Sequence, residues 1–170
     1  PLFTTAEAKD FLKVDTTADD TLIDNLIKAA TQSCEEYTNQ YFMDTLVTQY
    51  SDNWMEVYRL YKSPVSAITH IKYYDSTDTL QTLAASKYIL DNVSKPARIG
   101  LAVNGELPTL ADRINAVEVK YTVGYGTASS NVPNGIKQAV LLTIGNWYEN
   151  RQTVITGRTA TELPLSSQYL

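Results

Sequence analysis

Apolar residues recur at three- and four-residue steps in two long stretches of the chain, a spacing typical of helices with one buried face. The first predicted helix covers about residues 19 to 42, and it opens with acidic residues that suit a helix N-terminus. Its apolar positions are Leu22, Ile23, Leu26, Ile27, Ala30, Cys34, Tyr37 and Tyr41. The second predicted helix covers about residues 133 to 150, and Pro133 suits its first turn.

A shorter helix is predicted near the start of the chain, over about residues 5 to 13. Thr4 and Glu7 have the spacing of a capping box, in which each side chain binds the free backbone N–H of the other residue. The chain therefore contains one short and two long predicted helices.

Between the two long helices, over about residues 45 to 124, the pattern changes to short β-branched and aromatic runs separated by turn residues. Asn104-Gly105 and Gly124-Tyr125-Gly126 are typical turn sequences. Strands are predicted near residues 46–50, 57–60, 67–74, 79–83, 88–91, 99–103 and 117–123. The pattern indicates an α+β fold, a small helical bundle with a β-rich insertion and an extended C-terminal tail over residues 152–170.

The length and the charge distribution of the chain exclude or disfavour several classes of protein. A chain of 170 residues fits one globular domain, and no apolar run approaches the ~18 residues of a membrane span. The start of the chain lacks a secretory leader pattern, so we expect synthesis in the cytoplasm and no membrane partner. Residues 1–44 carry three Lys or Arg against nine Asp or Glu, which disfavours tight DNA binding.

The residue types that carry most enzyme chemistry are scarce. Cys34 is the single cysteine and His70 the single histidine, so the usual zinc sites are excluded and no disulfide forms within the chain. We expect a buried structural cysteine and a histidine on the sheet surface. Phosphate-binding and hydrolase motifs do not occur in the sequence. The sequence therefore predicts no catalytic residues, no cofactor and no bound metal.

Aromatic residues are unusually frequent, with twelve tyrosines and two tryptophans. Trp147 and Tyr148 lie close to Arg151 near the end of the last predicted helix. Large rings bury much area at little cost in conformational entropy, which favours a core or a subunit contact over a small-molecule pocket.

Three groups of residues, in order along the chain, resemble phage head-tail connector proteins, which are also called adaptors. The N-terminal group is Thr5-Ala6-Glu7-Ala8-Lys9, Phe11-Leu12-Lys13-Val14-Asp15, Asp19-Asp20, Leu22-Ile23, Leu26-Ile27, Ala29-Ala30 and Glu36-Tyr37-Thr38. The β-region group is Ser63-Pro64-Val65, Ile68, Ile71, Tyr88 to Asp91, Pro96, Arg98-Ile99, Asn115-Ala116-Val117, Tyr121 and Gly124-Tyr125-Gly126. The last group is Val132-Pro133, Ile136, Gln138-Ala139, Leu141-Leu142 and, most specifically, Trp147-Tyr148-Glu149-Asn150-Arg151.

The resemblance implies a structural virion protein that is not an enzyme. Residues 1–151 would form a head-tail connector domain, assembled as a ring, twelvefold on the virion, beneath the portal protein. The ring would extend the DNA channel and give a docking platform for stopper or tail proteins. The protein would be made in the bacterial host cytoplasm and end in the neck of the virion, with DNA passing through the channel without specific binding.

Two sets of residues gain an expected role from this resemblance. The acidic residues Asp15, Asp19, Asp20 and Asp24 are candidates to face the channel, where they would repel the phosphates of DNA. The tail residues Arg158, Leu163, Pro164, Leu165 and Tyr169 are candidates to bind the portal protein.

Two alternative interpretations remain open from the sequence. A stopper or tail-completion protein of the phage neck would also be small, acidic and ring-forming, although the long helix at each end of this chain favours an adaptor. A ligand-binding or hydrolytic α+β domain would instead use an aromatic-lined groove and a pair of carboxylates.

Overall fold

The computed structural model describes residues 1–150, and there the chain is an α+β protein with three α-helices and two antiparallel sheets. It divides into two compact units. Among the described residues, the helical unit comprises Pro1–Thr38 and residues 128–150, and the β unit comprises Asn39–Thr127. The α+β class predicted from the sequence is confirmed.

Helix α1 (Thr5–Leu12) begins with the predicted capping box. The Glu7 N–H donates to the Thr4 hydroxyl at 3.2 Å, and the Glu7 carboxylate accepts from the Thr4 N–H at 2.7 Å. Two of the free N–H groups of the first turn are thereby satisfied. The helix ends where Lys13 adopts a left-handed conformation with φ 58°.

Helix α2 (Asp20–Thr38) is shorter than the predicted helix over residues 19–42. It ends because Asn39 has a φ of 53°, a left-handed conformation that asparagine tolerates better than most residues. Two predicted members of its apolar stripe are therefore corrected. Tyr37 is 64% exposed on the last turn, and Tyr41 lies beyond the helix and packs against the core of the β unit.

Helix α3 (Asn134–Glu149) follows Pro133 and packs against both other helices. Each long helix buries one stripe, which explains the periodicity of the sequence. The buried positions are Ile23, Ile27 and Ala30 of α2 and Ala139, Val140 and Ile144 of α3. At Gly145, an added Cβ would lie 3.2 Å from the ring of Phe11, so α1 approaches α3 closely at this glycine.

The β unit contains a four-stranded and a two-stranded antiparallel sheet. The larger sheet has the order β1-β6-β2-β3, and the smaller sheet pairs β4 with β5. The strands are β1 (Thr45–Ser51), β2 (Val65–Tyr74), β3 (Leu80–Thr82), β4 (Tyr88–Asp91), β5 (Arg98–Leu101) and β6 (Val117–Val123). The first strand therefore pairs with the last one, across about half of the chain.

One predicted strand is wrong. Residues 57–60 do not form a strand, because Glu56–Tyr58 is a turn of 3-10 helix and Arg59 makes only an isolated bridge to Arg98. Val57 and Leu60 are both buried, at 4% and 0% exposure. Their spacing of three residues suits one helical turn, whereas a strand would bury alternate residues.

The core of the β unit lies on one face of the larger sheet. Val117, Val119, Tyr121 and Val123 of the central strand β6 are fully buried, while the residues between them are half-buried on the other face. This alternation is that of a sheet with one covered face.

The turn between β2 and β3 is organised by Asp75. Its carboxylate accepts hydrogen bonds from the Thr77 hydroxyl at 2.6 Å, from the Gln81 amide at 3.0 Å and from the Thr79 N–H at 3.1 Å. These bonds stabilise the ionised form and lower the pKa of Asp75 from 3.8 to about 2.

Acid is therefore expected to weaken this turn. Because the Asp75 carboxyl is more acidic in the folded than in the unfolded chain, its stabilising effect is present above pH 3.8 and is lost as the pH falls toward 2. Urea unfolding should show wild type more stable than Asp75→Asn at pH 5, with the difference shrinking toward pH 2. Asp112→Asn, in an exposed loop, is the matched control. A difference that does not change with pH would contradict this prediction.

Candidate interaction surfaces

The acidic residues predicted to face the channel are mostly engaged in contacts within the helical unit. Asp20 binds Lys9 at 2.7 Å, and Asp24 binds Lys28 at 2.6 Å on the same face of α2. The Asp19 carboxylate accepts a hydrogen bond from the Tyr148 phenol, and Asp15 is exposed in the turn before α2. Two of the four charges are thus locally neutralised, so the negative field of this surface is weaker than the sequence indicates.

The aromatic residues at the end of α3 are divided between the interior and the surface. Tyr148 is half-buried, and its phenol donates to Asp19 at 2.6 Å, which links the end of α3 to the start of α2. Trp147 is also half-buried. The structure thus gives Tyr148 a contact inside the helical unit, while its predicted neighbour Arg151 lies outside the described residues.

Removal of this hydrogen bond is expected to loosen the helical unit. Tyr148→Phe keeps the ring and leaves Asp19 without its phenol donor, so the free energy of unfolding should fall by about 1 kcal/mol or somewhat more. Tyr37→Phe, at an exposed position of the same unit, should leave it unchanged. Urea unfolding of both variants checks this prediction, and equal stabilities would contradict it.

The predicted portal-binding residues Arg158, Leu163, Pro164, Leu165 and Tyr169 lie outside the described residues. Their role remains a prediction from the sequence.

A surface that the sequence did not single out is the uncovered face of the larger sheet, here called the outer sheet face. Its side chains alternate with the buried ones along each strand. They are Leu46, Thr48 and Tyr50 of β1, Glu118, Lys120 and Thr122 of β6, His70, Lys72 and Tyr74 of β2, and Leu80 and Thr82 of β3. The face is therefore a mixture of aromatic, aliphatic, hydroxyl-bearing and charged side chains of both signs.

The ionisable groups of the outer sheet face form short-range pairs. The His70 ring nitrogen Nε2 lies 2.8 Å from the Glu118 carboxylate, and this contact lowers the pKa of Glu118. The Arg113 guanidinium lies over the ring of Tyr74, 3.7 Å from its centroid, and donates to Asp78 at 2.9 Å. The prediction of a histidine on the sheet surface is confirmed, and the structure adds its hydrogen bond to Glu118.

A shallow pocket of about 270 Å³ opens at one end of the outer sheet face. Lys72, Glu118 and Tyr50 point into it from three adjacent strands. The single cysteine does not line this pocket, because Cys34 lies in the helical unit. Burial raises the pKa of the Cys34 thiol, which makes it a poor nucleophile. The pocket offers charged and aromatic groups that suit contact with another protein chain.

Two loops beside this pocket expose large apolar side chains. Met55 is 85% exposed and Ile114 is 75% exposed. The loops are joined, since the Asn115 N–H donates to the Asp52 carboxylate at 2.7 Å and the Trp54 indole N–H donates to the Pro108 carbonyl at 2.9 Å. Exposed apolar groups on anchored loops are typical of a contact surface.

Metal and membrane sites can be assessed for residues 1–150. In this part of the chain, no cluster of three or more His, Cys, Asp or Glu is placed to hold a metal ion. None of its helices combines the length and the hydropathy that crossing a bilayer requires.

Comparisons with known proteins give a family and several structural relatives. A family model described as "Head completion protein" matches residues 1–162. A chain in the structure "Neck of empty GTA particle computed with C6 symmetry" is 22% identical, with a TM-score of 0.76 over 94% of this chain and 84% of that one. No curated protein matches the chain significantly.

Two further structures show the same fold. A chain of the "Virion of native gene transfer agent (GTA) particle" is 23% identical, with a TM-score of 0.72 over 92% of this chain and 83% of that one. A chain of the "Neck of native GTA particle computed with C12 symmetry" is also 23% identical, with a TM-score of 0.70 over 94% and 81%.

Proposed function

Because the chain belongs to the head completion protein family, we propose that it is a component of the neck of a phage or phage-like particle. Membership in this family makes it a structural protein and not an enzyme. The observation that carries the proposal is the family match over residues 1–162. Support comes from a shared fold, since the structural relatives are chains from gene transfer agent necks and a virion. The resemblance to head-tail connector proteins is thus confirmed at the level of the family.

Within the neck, the proposed role is that of an adaptor. Subunits form a ring on the portal protein, extend the DNA channel and present a platform for stopper or tail proteins. Residues 1–151 act as the connector domain, in which a helical bundle carries the β-rich insertion, and residues 152–170 act as a tail toward the portal. Relatives in necks computed with C6 and C12 symmetry support a ring, and twelve subunits is the number proposed here.

A ring with cyclic symmetry needs two different lateral surfaces on each subunit, because each contact is head-to-tail. The chain offers exposed apolar groups on separate elements, including Met55 and Ile114 on the joined loops and Leu46 on strand β1. Exposed apolar side chains on separate elements can bury area against two different neighbours, which is compatible with a ring.

The adaptor role is tested by the mass of the protein in solution. Sedimentation of the protein alone, and mixed with the portal ring encoded in the same genome, should give a complex with one copy per portal subunit. A stopper or tail-completion protein would ignore the free portal ring and bind only after another neck protein had been added. That second result would overturn the adaptor role.

The tail is tested by deletion of residues 157–170. The truncated protein should unfold at the same urea concentration as the full chain and bind the portal ring more weakly, because a docking segment contributes buried apolar area only in the complex. Unchanged portal affinity would remove Leu163, Leu165 and Tyr169 from the proposed contact.

The acidic surface is proposed to limit adhesion of DNA in the channel. Charge reversal is informative at Asp15 and Asp24, because Asp24 forms only an exposed ion pair with Lys28 on its own helix, whereas reversal at Asp19 or Asp20 would break contacts between helices. The variant Asp15→Lys/Asp24→Lys should bind DNA more tightly than wild type at low salt, and Asp112→Lys, in a loop of the β unit, serves as a control of equal sign. Equal DNA affinity for wild type and the double variant would contradict the proposed channel-facing role.

A further inference from the structure

Strand β1 is an edge strand of the larger sheet. It pairs with β6 on one side, and within residues 1–150 no strand or bridge pairs with its other side. An unpaired edge presents a row of N–H and C=O groups that can bind another strand.

The direction of these groups follows from the bonds of β6. The Gly124 N–H donates to the Pro64 carbonyl at 2.8 Å, which places it on the side of β2. N–H groups alternate in direction along a strand, so the odd residues of β6 bond to β1 and the even ones to β2. Since Val123 pairs with Thr45, the backbone N–H and C=O groups of the odd-numbered residues of β1 point toward β6. The backbone groups of Leu46, Thr48 and Tyr50 therefore point to the open edge.

The edge lacks the features that usually protect one. Thr45–Ser51 contains no charged residue, proline or glycine, and its register with β6 is continuous over seven residues. By contrast, β2 carries two register shifts. On the outer sheet face of this edge, Leu46 is 58% exposed and Tyr50 is 53% exposed. A seven-residue, uncharged edge of this kind is a site for strand pairing.

The opposite edge of the same sheet matches it. The Leu83 N–H donates to the Ile71 carbonyl at 2.8 Å, so by alternation the backbone groups of Leu80 and Thr82 point away from β2. Side chains at these two positions lie on the outer sheet face, as do those of Leu46, Thr48 and Tyr50. Both open edges thus direct backbone groups outward at residues whose side chains share one face.

Strand direction matches as well. The four strands alternate in direction, so β1 and β3 run opposite to each other. If the sheet of one copy is placed beside that of the next, β3 and β1 meet as antiparallel neighbours with the same face outward. Leu80, which is 49% exposed, then lies opposite Thr48 or Tyr50 of the other copy.

We propose that β1 of one subunit pairs with β3 of a second copy of this chain, so that the larger sheet continues from subunit to subunit. This inference rests on the proposed ring and names its lateral contact. A symmetric β1-to-β1 contact would use up the same surface on both copies and stop at a dimer, whereas pairing of β1 with β3 leaves one free edge at each end. The contact is short, since β3 has three residues, which suits a ring that assembles on its partner.

Cysteine cross-linking tests the contact. Both registers that pair two residues of β3 with β1 place Thr48 opposite Leu80 or Thr82, at the ~5.5 Å Cα separation of a hydrogen-bonded pair, which a disulfide can span. The full chain would carry Cys34→Ser with Thr48→Cys and either Leu80→Cys or Thr82→Cys, and be oxidised mildly on the portal ring. One of the two pairs should give a ladder of covalent dimers, trimers and larger oligomers.

Three other outcomes overturn the inference. Dimers from Thr48→Cys alone would show symmetric pairing of two β1 edges. The absence of cross-links in a complex with the portal ring would leave the adaptor role intact and exclude this contact. Assembly on the portal ring that required residues 151–170 and gave no cross-links between the introduced cysteines would identify the tail as the strand on β1. Failure to bind the portal ring at all would instead count against the proposed function.

Proline substitution provides an independent test. Thr48→Pro removes an N–H that points to the open edge, while Val47→Pro removes one that bonds to β6. Thr48→Pro should therefore remain folded by circular dichroism and lose lateral assembly, whereas Val47→Pro should lose stability. A folded Thr48→Pro variant that still forms lateral oligomers on the portal ring would contradict the proposed pairing.

Discussion

Replacement of Gly124 by alanine is expected to destabilise the β unit by about 2–5 kcal/mol, because both backbone strain and close contact arise at once. Gly124 follows β6 with a φ of +129°, a conformation that residues with a Cβ rarely adopt. An added Cβ would lie 2.6 Å from the Asp44 nitrogen and 2.7 Å from the Met43 oxygen. These are backbone atoms beside the start of β1, so they cannot move aside as a side chain would.

The matched control is Gly100→Ala in strand β5. An added Cβ at Gly100 meets no atom within 4 Å, so the free energy of unfolding should change by no more than about 0.5 kcal/mol. Urea unfolding of wild type and both variants measures the difference. Similar midpoints for the two alanine variants would show that the chain next to β1 can yield at Gly124.

The difference between these two glycines shows what the sequence reveals of this fold. Gly124-Tyr125-Gly126 is recognisable as a turn because glycine reaches positive φ without a clash. The close approach of residues 43 and 44 is not recognisable, since it results from pairing between the first and last strands of the sheet. Local chemistry therefore predicts the turn, and the distant contact explains why alanine fails there.

Prediction of the helices and strands has the same limit, because it uses local sequence and not distant contacts. The capping box of Thr4 and Glu7 is a local feature, and the structure confirms it. The α+β class follows from a change in the spacing of apolar residues along the chain, and the structure also confirms this class. Val57 and Leu60, however, suit a strand by residue type and lie in and after a helical turn, because burial against the sheet decides their conformation.

The outer sheet face cannot be predicted from the sequence for a related reason. Its residues are polar and aromatic positions that alternate with the core, and their grouping depends on the strand order β1-β6-β2-β3. Nothing local in Thr45–Ser51 indicates an edge strand rather than a central one. A weak signal was present in the uncharged run itself, since edge strands of soluble proteins usually carry charges or proline.

Truncation of Tyr121 is expected to have the other large effect, a loss of about 3–5 kcal/mol for Tyr121→Ala. Among residues 1–150, Tyr121 is the largest fully buried side chain, and it lies at the centre of β6. Its phenol donates to the Gln49 side-chain oxygen at 3.3 Å and accepts from the Lys62 N–H at 3.4 Å. Tyr121→Phe keeps the ring and removes only these bonds, so it should cost about 1–2 kcal/mol. Tyr50→Ala, at an exposed position of the sheet, is the control.

Gln49 holds the remaining bonds of this buried network, and it allows the two effects to be separated. Its amide donates to the Arg59 carbonyl at 3.1 Å, and its side-chain oxygen accepts from the Tyr61 N–H at 3.2 Å. Gln49→Leu should cost about 2–4 kcal/mol, because these backbone groups lose their partner.

Since Tyr121→Phe and Gln49→Leu remove parts of one network, the double variant should lose less stability than the sum of the single variants. The cycle is measured by urea unfolding of all four proteins. Additive losses would show that the two side chains act independently and would contradict the shared network. A shared loss would instead show that one buried polar network fixes the segment from Arg59 to Lys62 beneath the sheet.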